Sequence, residues 1–424
     1  MPGGGRSHPL DPLRHGGEAL MWRRLRSFDR SVQLLMVNQL TINTGFYMLM
    51  PYLAGHLSDG LGMAAWSVGL ILGMRNLSQQ GMFLIGGTLA DRLGYRPVIL
   101  AGCLLRTAGF ALLAFAANLP ALLIASAMTG FAGALFNPAV RAYLAHDAGP
   151  RRVEAFALFN VFYQVGILIG PPIGLALAVV DFRLVCLVAA GTFALLTMLQ
   201  YLALPPCRTS TPPAGPVLAD WRAVITNRPF MLFTLAMAGS YTLSFQVYLA
   251  LPLELDSSAA VSVLFVVSAV VAVVGQVRVT DWARRRWTGP QAITRGLACM
   301  AAAFLPLVVY GALWPGSAPV RLAAVLACAV LLALGTVLAY PFEMDRIVAL
   351  SGDRMVATHY GLYNMVAGIG IALGNLVTGL LVDIVPGAVP WLLLTALGLV
   401  CLSAVRTLDR RGLLTPPSER PALI

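Results

Sequence analysis

Apolar runs of bilayer-crossing length follow one another from residue 32 to residue 405, broken by short polar connections, and this recurrence leaves the chain little choice of fold. A hydrocarbon core about 30 Å thick takes roughly 20 residues of helix, and within it every backbone N–H and C=O must be bonded inside its own segment. Laid along the chain, that ruler gives twelve segments near 32–54, 65–87, 98–117, 121–144, 156–179, 184–204, 230–252, 259–279, 291–311, 321–342, 356–382 and 390–405. Composition closes the soluble alternative: 58% of residues are hydrophobic and 11% charged. A water-soluble domain carries about a quarter of its residues as charges. Lipid must be the solvent.

A net charge of +11 raises the question of nucleic acid, and the placement of charge answers it. All 29 basic residues are arginine, and every one except Arg183, Arg321, Arg75, Arg106 and Arg295 lies in a tail or on an even-numbered connection. Alternation of that kind is a topology signal, with arginine retained on the cytoplasmic side. Both termini are therefore expected in the cytoplasm. Prolines 205, 206, 212, 213 and 216 interrupt helix within 205–228, where Arg208, Arg222 and Arg228 also sit. The expected division is a cytoplasmic tail over 1–30, a six-helix bundle over 31–204, a cytoplasmic loop over 205–229, a second bundle over 230–408 and a tail over 409–424. The first thirty residues carry no cleavable signal pattern and read as a disordered basic tail. The 6 cysteines show no metal-ligand spacing, so no metal or other cofactor is expected.

The two bundles echo each other in sequence. Tyr47 and Pro51 correspond to Tyr248 and Pro252, and Asn137-Pro138 to Tyr340-Pro341. Leu158-Phe159-Asn160 with Gly166 and Gly170 corresponds to Leu362-Tyr363-Asn364 with Gly370 and Gly374. Internal duplication of this kind belongs to alternating-access carriers, whose site lies between the repeats.

The connection after the second segment reads Gly87-Thr-Leu-Ala-Asp91-Arg92-Leu-Gly-Tyr-Arg96. It resembles the loop signature G-x-L-A-D-R-x-G-R-[KR] of the major facilitator superfamily, with Tyr95 in place of one basic residue. A degenerate copy at 277–286 keeps Asp281 and Arg286 but has Val277 for the glycine. Gly166-Ile-Leu-Ile-Gly170-Pro171-Pro172-Ile-Gly174 resembles the G-x-x-x-G-P-x-x-G-G signature of drug:proton antiporters, with Leu175 for the last glycine. The likeness to twelve-helix bacterial multidrug efflux carriers spans nearly everything after residue 30. It implies an all-α membrane fold of two pseudo-symmetric six-helix bundles. It also implies transport of an amphipathic molecule by a monomer in the inner membrane, with protons and lipid as the other partners. Gly87, Asp91, Arg92, Arg96, Arg141 and Asp281 would form the gate, Asp91 either pairing with an arginine, Arg141 ending the fourth helix on the same face, or sitting on a helix N-terminus. Gly166, Gly170, Pro171 and Gly174 would pack and bend the fifth helix.

Two departures bear on coupling: Ser126 stands where the antiporters place an arginine, and Asn38-Gln39 carries no acid where several relatives place one. Intramembrane polar residues are by default functional. Asn38, Arg75, Gln79 and Gln246 are therefore candidates for a substrate cavity, Arg75 being equally open to a structural role. Arg106 reads as structural and His359 as a solvated helix cap. For a proton-carrying acid the candidates are Glu343, Asp345 and Asp383, against the plainer reading that Glu343 pairs with Arg346 at a wet helix end. No catalytic constellation occurs at depth, so the chain is not read as an enzyme. A dedicated metabolite exporter or importer, or a transport-dead sensor, remain alternatives.

Overall fold

Twelve long helical passes account for most of the chain. The structure, a computed structural model, describes residues 23–207, 215–255, 257–385 and 387–414. The first six passes are α1 (Arg30–Gly55), α2 (Ala65–Leu93), α3 (Tyr95–Phe115), α4 (Leu119–Ala148), α5 (Arg152–Ala178) and α6 (Phe182–Ala203). After a short helix at Val217–Thr226 come α7 (Arg228–Leu253), α8 (Ser258–Arg286) and α9 (Gly289–Leu313). The last three are α10 (Ala318–Ser351), α11 (Val356–Ile384) and α12 (Val389–Arg410). The passes from α3 to α12 are long and apolar enough to cross a bilayer. α1 and α2 fall short because they carry Asn38, Gln39, Asn43, Arg75, Gln79 and Gln80. Part of that polarity is bonded inside the protein: Asn43 donates to the Gln39 carbonyl at 2.7 Å, and Asn38 accepts from Gln200 at 2.6 Å.

Packing repeats with the duplication. In the first half α1 packs on α5 and α6, α2 on α4, and α3 on α4 and α6. The second half answers with α7 on α11 and α12, α8 on α10, and α9 on α10 and α12. Between halves the contacts of α2 with α11 mirror those of α5 with α8. Outward-facing Leu195, Met198, Leu235, Val270, Val274, Leu376 and Val400 are exposed. Leaving them to water would cost about 25 cal/mol per Å², which a hydrocarbon surround removes.

Even-numbered connections and both described chain ends share one arginine-rich face. The tail expectation fails where it can be examined. Arg23–Arg26 forms a helical turn, and Leu25 and Phe28 are buried. Phe28 lies under the Arg151 guanidinium at 3.8 Å, whose Nη1 donates to the Ser27 carbonyl at 3.1 Å. Two apolar side chains with a cation–π partner are enough to hold a short segment that charge alone would leave in water. Residues 1–22 and 415–424 lie outside the described set, as do residues 208–214 of the central loop. The rest of that loop is not featureless: in the helix Val217–Thr226, Trp221 donates to the Thr88 hydroxyl at 2.9 Å.

Candidate functional site

At the arginine-rich end of α2 the chain must reverse into α3 across one residue, and Gly94 does so at φ +94°. That turn sets Asp91, 1% exposed, against the first turn of α11. Its carboxylate accepts the N–H of Ala357 at 3.1 Å and both the N–H and the hydroxyl of Thr358 at 2.7 Å. Helix N-termini leave N–H groups without intrahelical partners, and a carboxylate there is favoured by the macrodipole as well. Gly87 makes the approach possible, since a Cβ on it would collide with the Ala357 backbone carbonyl. Lower on the same seam Gly361 abuts the Phe83 carbonyl and Gly368 the Gln80 side chain.

The other gate residues divide. Arg92 is bound to Asp220 of the loop helix at 2.5 Å, and Arg96 to the Tyr201 carbonyl at 2.5 Å. Asp281 pairs with Arg24 of the N-terminal segment. The expected partnership of Arg141 with Asp91 is replaced: the polar groups around Arg141 are the Tyr340, Tyr241 and Tyr360 hydroxyls and Glu343. On the α5–α8 seam, Asn160 donates to the Gln276 carbonyl oxygen at 2.5 Å, and Glu154 faces Arg284 at 3.5 Å. Arg152 reaches Asp353 at 3.3 Å. These polar ties between halves all lie toward the arginine-rich face, so the structure is closed on that side.

The glycines of α5 face α1. A Cβ at Gly166 would sit 2.7 Å from the Leu40 carbonyl, at Gly170 2.9 Å from that of Thr44, and at Gly174 it would strike that of Met48. The Pro171 carbonyl accepts the Tyr52 hydroxyl at 2.7 Å. In the other half Gly370 and Gly374 press on Ala238 and Thr242 of α7.

Glu343 is not a wet helix end. It is 3% exposed, and its carboxylate accepts the hydroxyls of Tyr241, at 2.8 Å, and Tyr363. Arg346 points away and donates to the Leu414 carbonyl at 2.6 Å. Asp345 lies at the arginine-rich end, within the field of Arg152, Arg346 and Arg284. Asp383 is on the last turn of α11, and its side chain lies outside the described set. Of the cavity candidates, Asn38 is buried against α6, accepting from Gln200 at 2.6 Å. Gln246 is fully buried, donating to the Thr242 carbonyl at 2.8 Å and to Asn375 at 3.2 Å. Each amide is tied to a helix by one end only, Asn38 Nδ2 and Gln246 Oε1 having no partner. Arg75 is half-buried, donating to Gln79 at 3.4 Å and to Asn76. His359 is also corrected: it is buried, bonded to the Met355 carbonyl at 2.8 Å and edge-on to Phe230.

The model of the Major Facilitator Superfamily matches residues 35–322 of this chain, well over half of it. The chain belongs to the major facilitator superfamily. It is 50% identical over 395 residues to an MFS-type transporter of Mycobacterium tuberculosis (strain ATCC 25618 / H37Rv), covering 91% of this chain and 94% of that one. It is 31% identical over 381 residues to the multidrug resistance protein MdtH of Photorhabdus laumondii, covering 88% and 92%. The MdtH of Salmonella newport is 30% identical over 380 residues with the same coverage. In fold it resembles the crystal structure of the human organic anion transporter MFSD10 (TETRAN), with a TM-score of 0.58 at 18% identity over 89% of this chain and 99% of that one.

Three features of this facilitator escaped the sequence. The Asn160–Gln276 bond joins two residues that duplication and the degenerate loop motif each brushed without linking. The tyrosines around Glu343 carry no sequence signal beyond their helical spacing. On the arginine-rich face, His146, Asp147 and Cys207 bring donor atoms within 4.8 Å of one another. Their geometry is already satisfied internally, His146 Nδ1 lying 2.8 Å from Asp147 and 3.5 Å from the Cys207 sulfur.

Proposed function

We propose that this facilitator exports an amphipathic small molecule across the inner membrane by alternating access, with protons as the coupling ion and the arginine-rich face in the cytoplasm. The observation that carries the reading is the position of Glu343. It stands on α10, is held by hydroxyls from α7 and α11, and has as its countercharge Arg141 on α4, in the opposite half. Any rocking that opens the arginine-rich side must separate α4 from α10 and take Arg141 away. A buried carboxylate that loses its countercharge is stabilised by a proton. Proton binding and the direction of opening are thereby linked, since a ligand shifts a conformational equilibrium only by preferring one state.

Support for export of an amphipath comes from the MdtH relatives, named for multidrug resistance, and from the antiporter-like glycine helix. Placement of the arginine-rich face follows the retention of basic connections in the cytoplasm. The test is efflux from cells with and without the gene, across a panel of amphipathic dyes and antibiotics, repeated after dissipating the proton gradient. Gradient-dependent efflux that appears only with the gene is the expected result. Uptake in place of efflux, or indifference to the gradient, overturns the reading.

A further inference from the structure

Among the described residues, the first half holds two cations at depth and no anion paired with either. Arg106 of α3 is 3% exposed; it donates to the Thr129 carbonyl at 2.7 Å, and its Nε has no partner. Aromatic rings enclose it, with Phe136 at 4.8 Å and Phe46 at 5.1 Å from its central carbon. Arg75 of α2 lies 4.9 Å from the same Phe46 ring. Its side-chain bonds go to the neutral amides of Gln79 and Asn76. Among the described residues neither guanidinium takes part in an ion pair; those found involve Arg24, Arg92, His146, Arg151, Arg152 and Arg284. The acids described in this half fall at or beyond helix ends: Asp29, Asp59, Asp91, Asp147, Glu154 and Asp181. Arginine stays protonated in a protein, so the pair is two fixed positive charges.

Like charges brought together where the effective dielectric is low repel several-fold more strongly than in water. Phe46 and the other ring faces attract them, but less strongly than a full countercharge would. A structural arginine binds backbone carbonyls, as Arg106 does. Arg75 does not. It remains half-buried, with a fork of donors tied only to two neighbouring amides. Tyr47, edge-on to Phe46 at 5.2 Å, neighbours Tyr163 of α5 and Tyr248 of α7, so aromatic groups of both halves converge on the same region.

Resting on the export reading above, we propose that the molecule carried is an amphipathic anion, an aromatic carboxylate or its like. Its charged end is taken by Arg75 and its ring by the Phe46, Tyr47 and Tyr248 walls. Arg106 is the positioning residue: walled off from ligand, it keeps the local potential positive and holds Phe46. A planar guanidinium engages a carboxylate through two parallel hydrogen bonds, which neither an amine nor an amide can accept in the same way. Ligand entry thus supplies the missing countercharge, and the site rejects cations by the same field.

The experiment is equilibrium binding to the purified full-length protein with three probes of one shape: 1-naphthoate, 1-naphthamide and 1-naphthylmethylammonium. The parent protein is expected to bind the carboxylate at least tenfold more tightly than the amide and the ammonium least. Arg75→Gln should erase that preference while leaving amide binding within about twofold, and Arg75→Lys should restore part of it. Equal melting temperatures of parent and variants establish that the fold is intact. Should Arg75→Gln unfold the protein, the salt dependence and probe order of the parent still decide. Preference for the ammonium, absence of carboxylate binding, or carboxylate preference unchanged in Arg75→Gln each overturns the proposal. Efflux is a separate readout. Carboxylate binding through Arg75 without gene-dependent export would sink the export reading alone, and export restricted to cations would sink the anion assignment alone.

Discussion

Asp91 holds Thr358 twice, accepting its backbone N–H and its hydroxyl at 2.7 Å each, and so the end of α2 caps the start of a helix in the opposite half. The duplication offers an equivalent in Asp281 at the end of α8. That residue turns instead to Arg24, and Val277 replaces the glycine that would let α8 approach α5 as closely. The gate is therefore asymmetric. Asp91→Asn removes the charge while keeping one acceptor. A hydrogen bond to a charged group contributes about 1.5–3 kcal/mol, so loss of the charge should move the balance toward opening at the arginine-rich face by about tenfold or more. Thiol labelling of a cysteine placed at Ala357 should quicken accordingly, with transport reduced and expression kept. Unchanged labelling together with unchanged transport removes Asp91 from the gate.

Gly170 on α5 leaves no room for a side chain. Its missing Cβ would lie 2.9 Å from both the Thr44 carbonyl and Tyr47 Cβ. Gly170→Leu should displace α5 from α1, lower the melting temperature and abolish transport, since overpacking alone costs about 1–3 kcal/mol. Gly191, with nothing within 4 Å of its Cβ position, is the control, and Gly191→Leu should leave both readouts unchanged. Full activity in Gly170→Leu would place the glycine face toward lipid.

Asn160 and Gln276 join α5 to α8 in the state closed at the arginine-rich face. Cysteines at these two positions, in a background lacking the native cysteines, should be bridged by a short bifunctional thiol reagent. Bridging should stop transport, and a cleavable reagent should let a reductant restore it. Transport that continues through the bridge means that this seam does not open during turnover.

Topology rests on arginine. A reporter active only in the cytoplasm, fused after Ile424, should be active, and one fused within the connection near Asp181 should be silent. The opposite pattern inverts the orientation.

How far the sequence could be read follows from what each residue needs. Gly87, Gly94 and Asp91 could be placed because each meets a demand set by backbone geometry: close approach, a positive φ, an open helix N-terminus. The duplication also pairs positions three-dimensionally. Val140 and Glu343 each lie two residues past their helix proline, so Arg141 and Glu343 occupy nearly equivalent places in facing helices. Partners could not be read. Asn38 and Gln246 are polar residues at depth like Arg75, yet each is bonded to a neighbouring helix, Asn38 to Gln200 and Gln246 to Asn375, with Asn38 Nδ2 and Gln246 Oε1 left without a partner. Only the packing of distant passes decides which polar group is spent on structure. The acid beside Arg141 could not be read for the same reason: tertiary geometry brings it near Glu343 and leaves Asp91 on the N-terminus of α11.

Glu343 is where coupling should be tested. Its carboxylate is buried, and its hydrogen-bond partners are Tyr241 and Tyr363, both within its own half. They travel with it when the halves rock. Arg141, across the interface, does not. Glu343→Gln keeps the shape and both tyrosine contacts but cannot take up or release a proton. In vesicles with an imposed pH gradient the variant should lose gradient-driven efflux while binding substrate and exchanging it down its own gradient. Tyr363→Phe removes one hydroxyl and leaves the proton site; losing a hydrogen bond to a charged group costs about 1.5–3 kcal/mol, so it should move the pH at which efflux is half-maximal by about one to two units without abolishing it. Arg141→Gln should shift the same midpoint, because it deletes the charge that leaves during opening. If Glu343→Gln retains full gradient-driven efflux, the coupling acid lies elsewhere, and Asp345 and Asp383 are next to be replaced. If it loses downhill exchange as well, Glu343 is needed for the movement of the halves and not for protons.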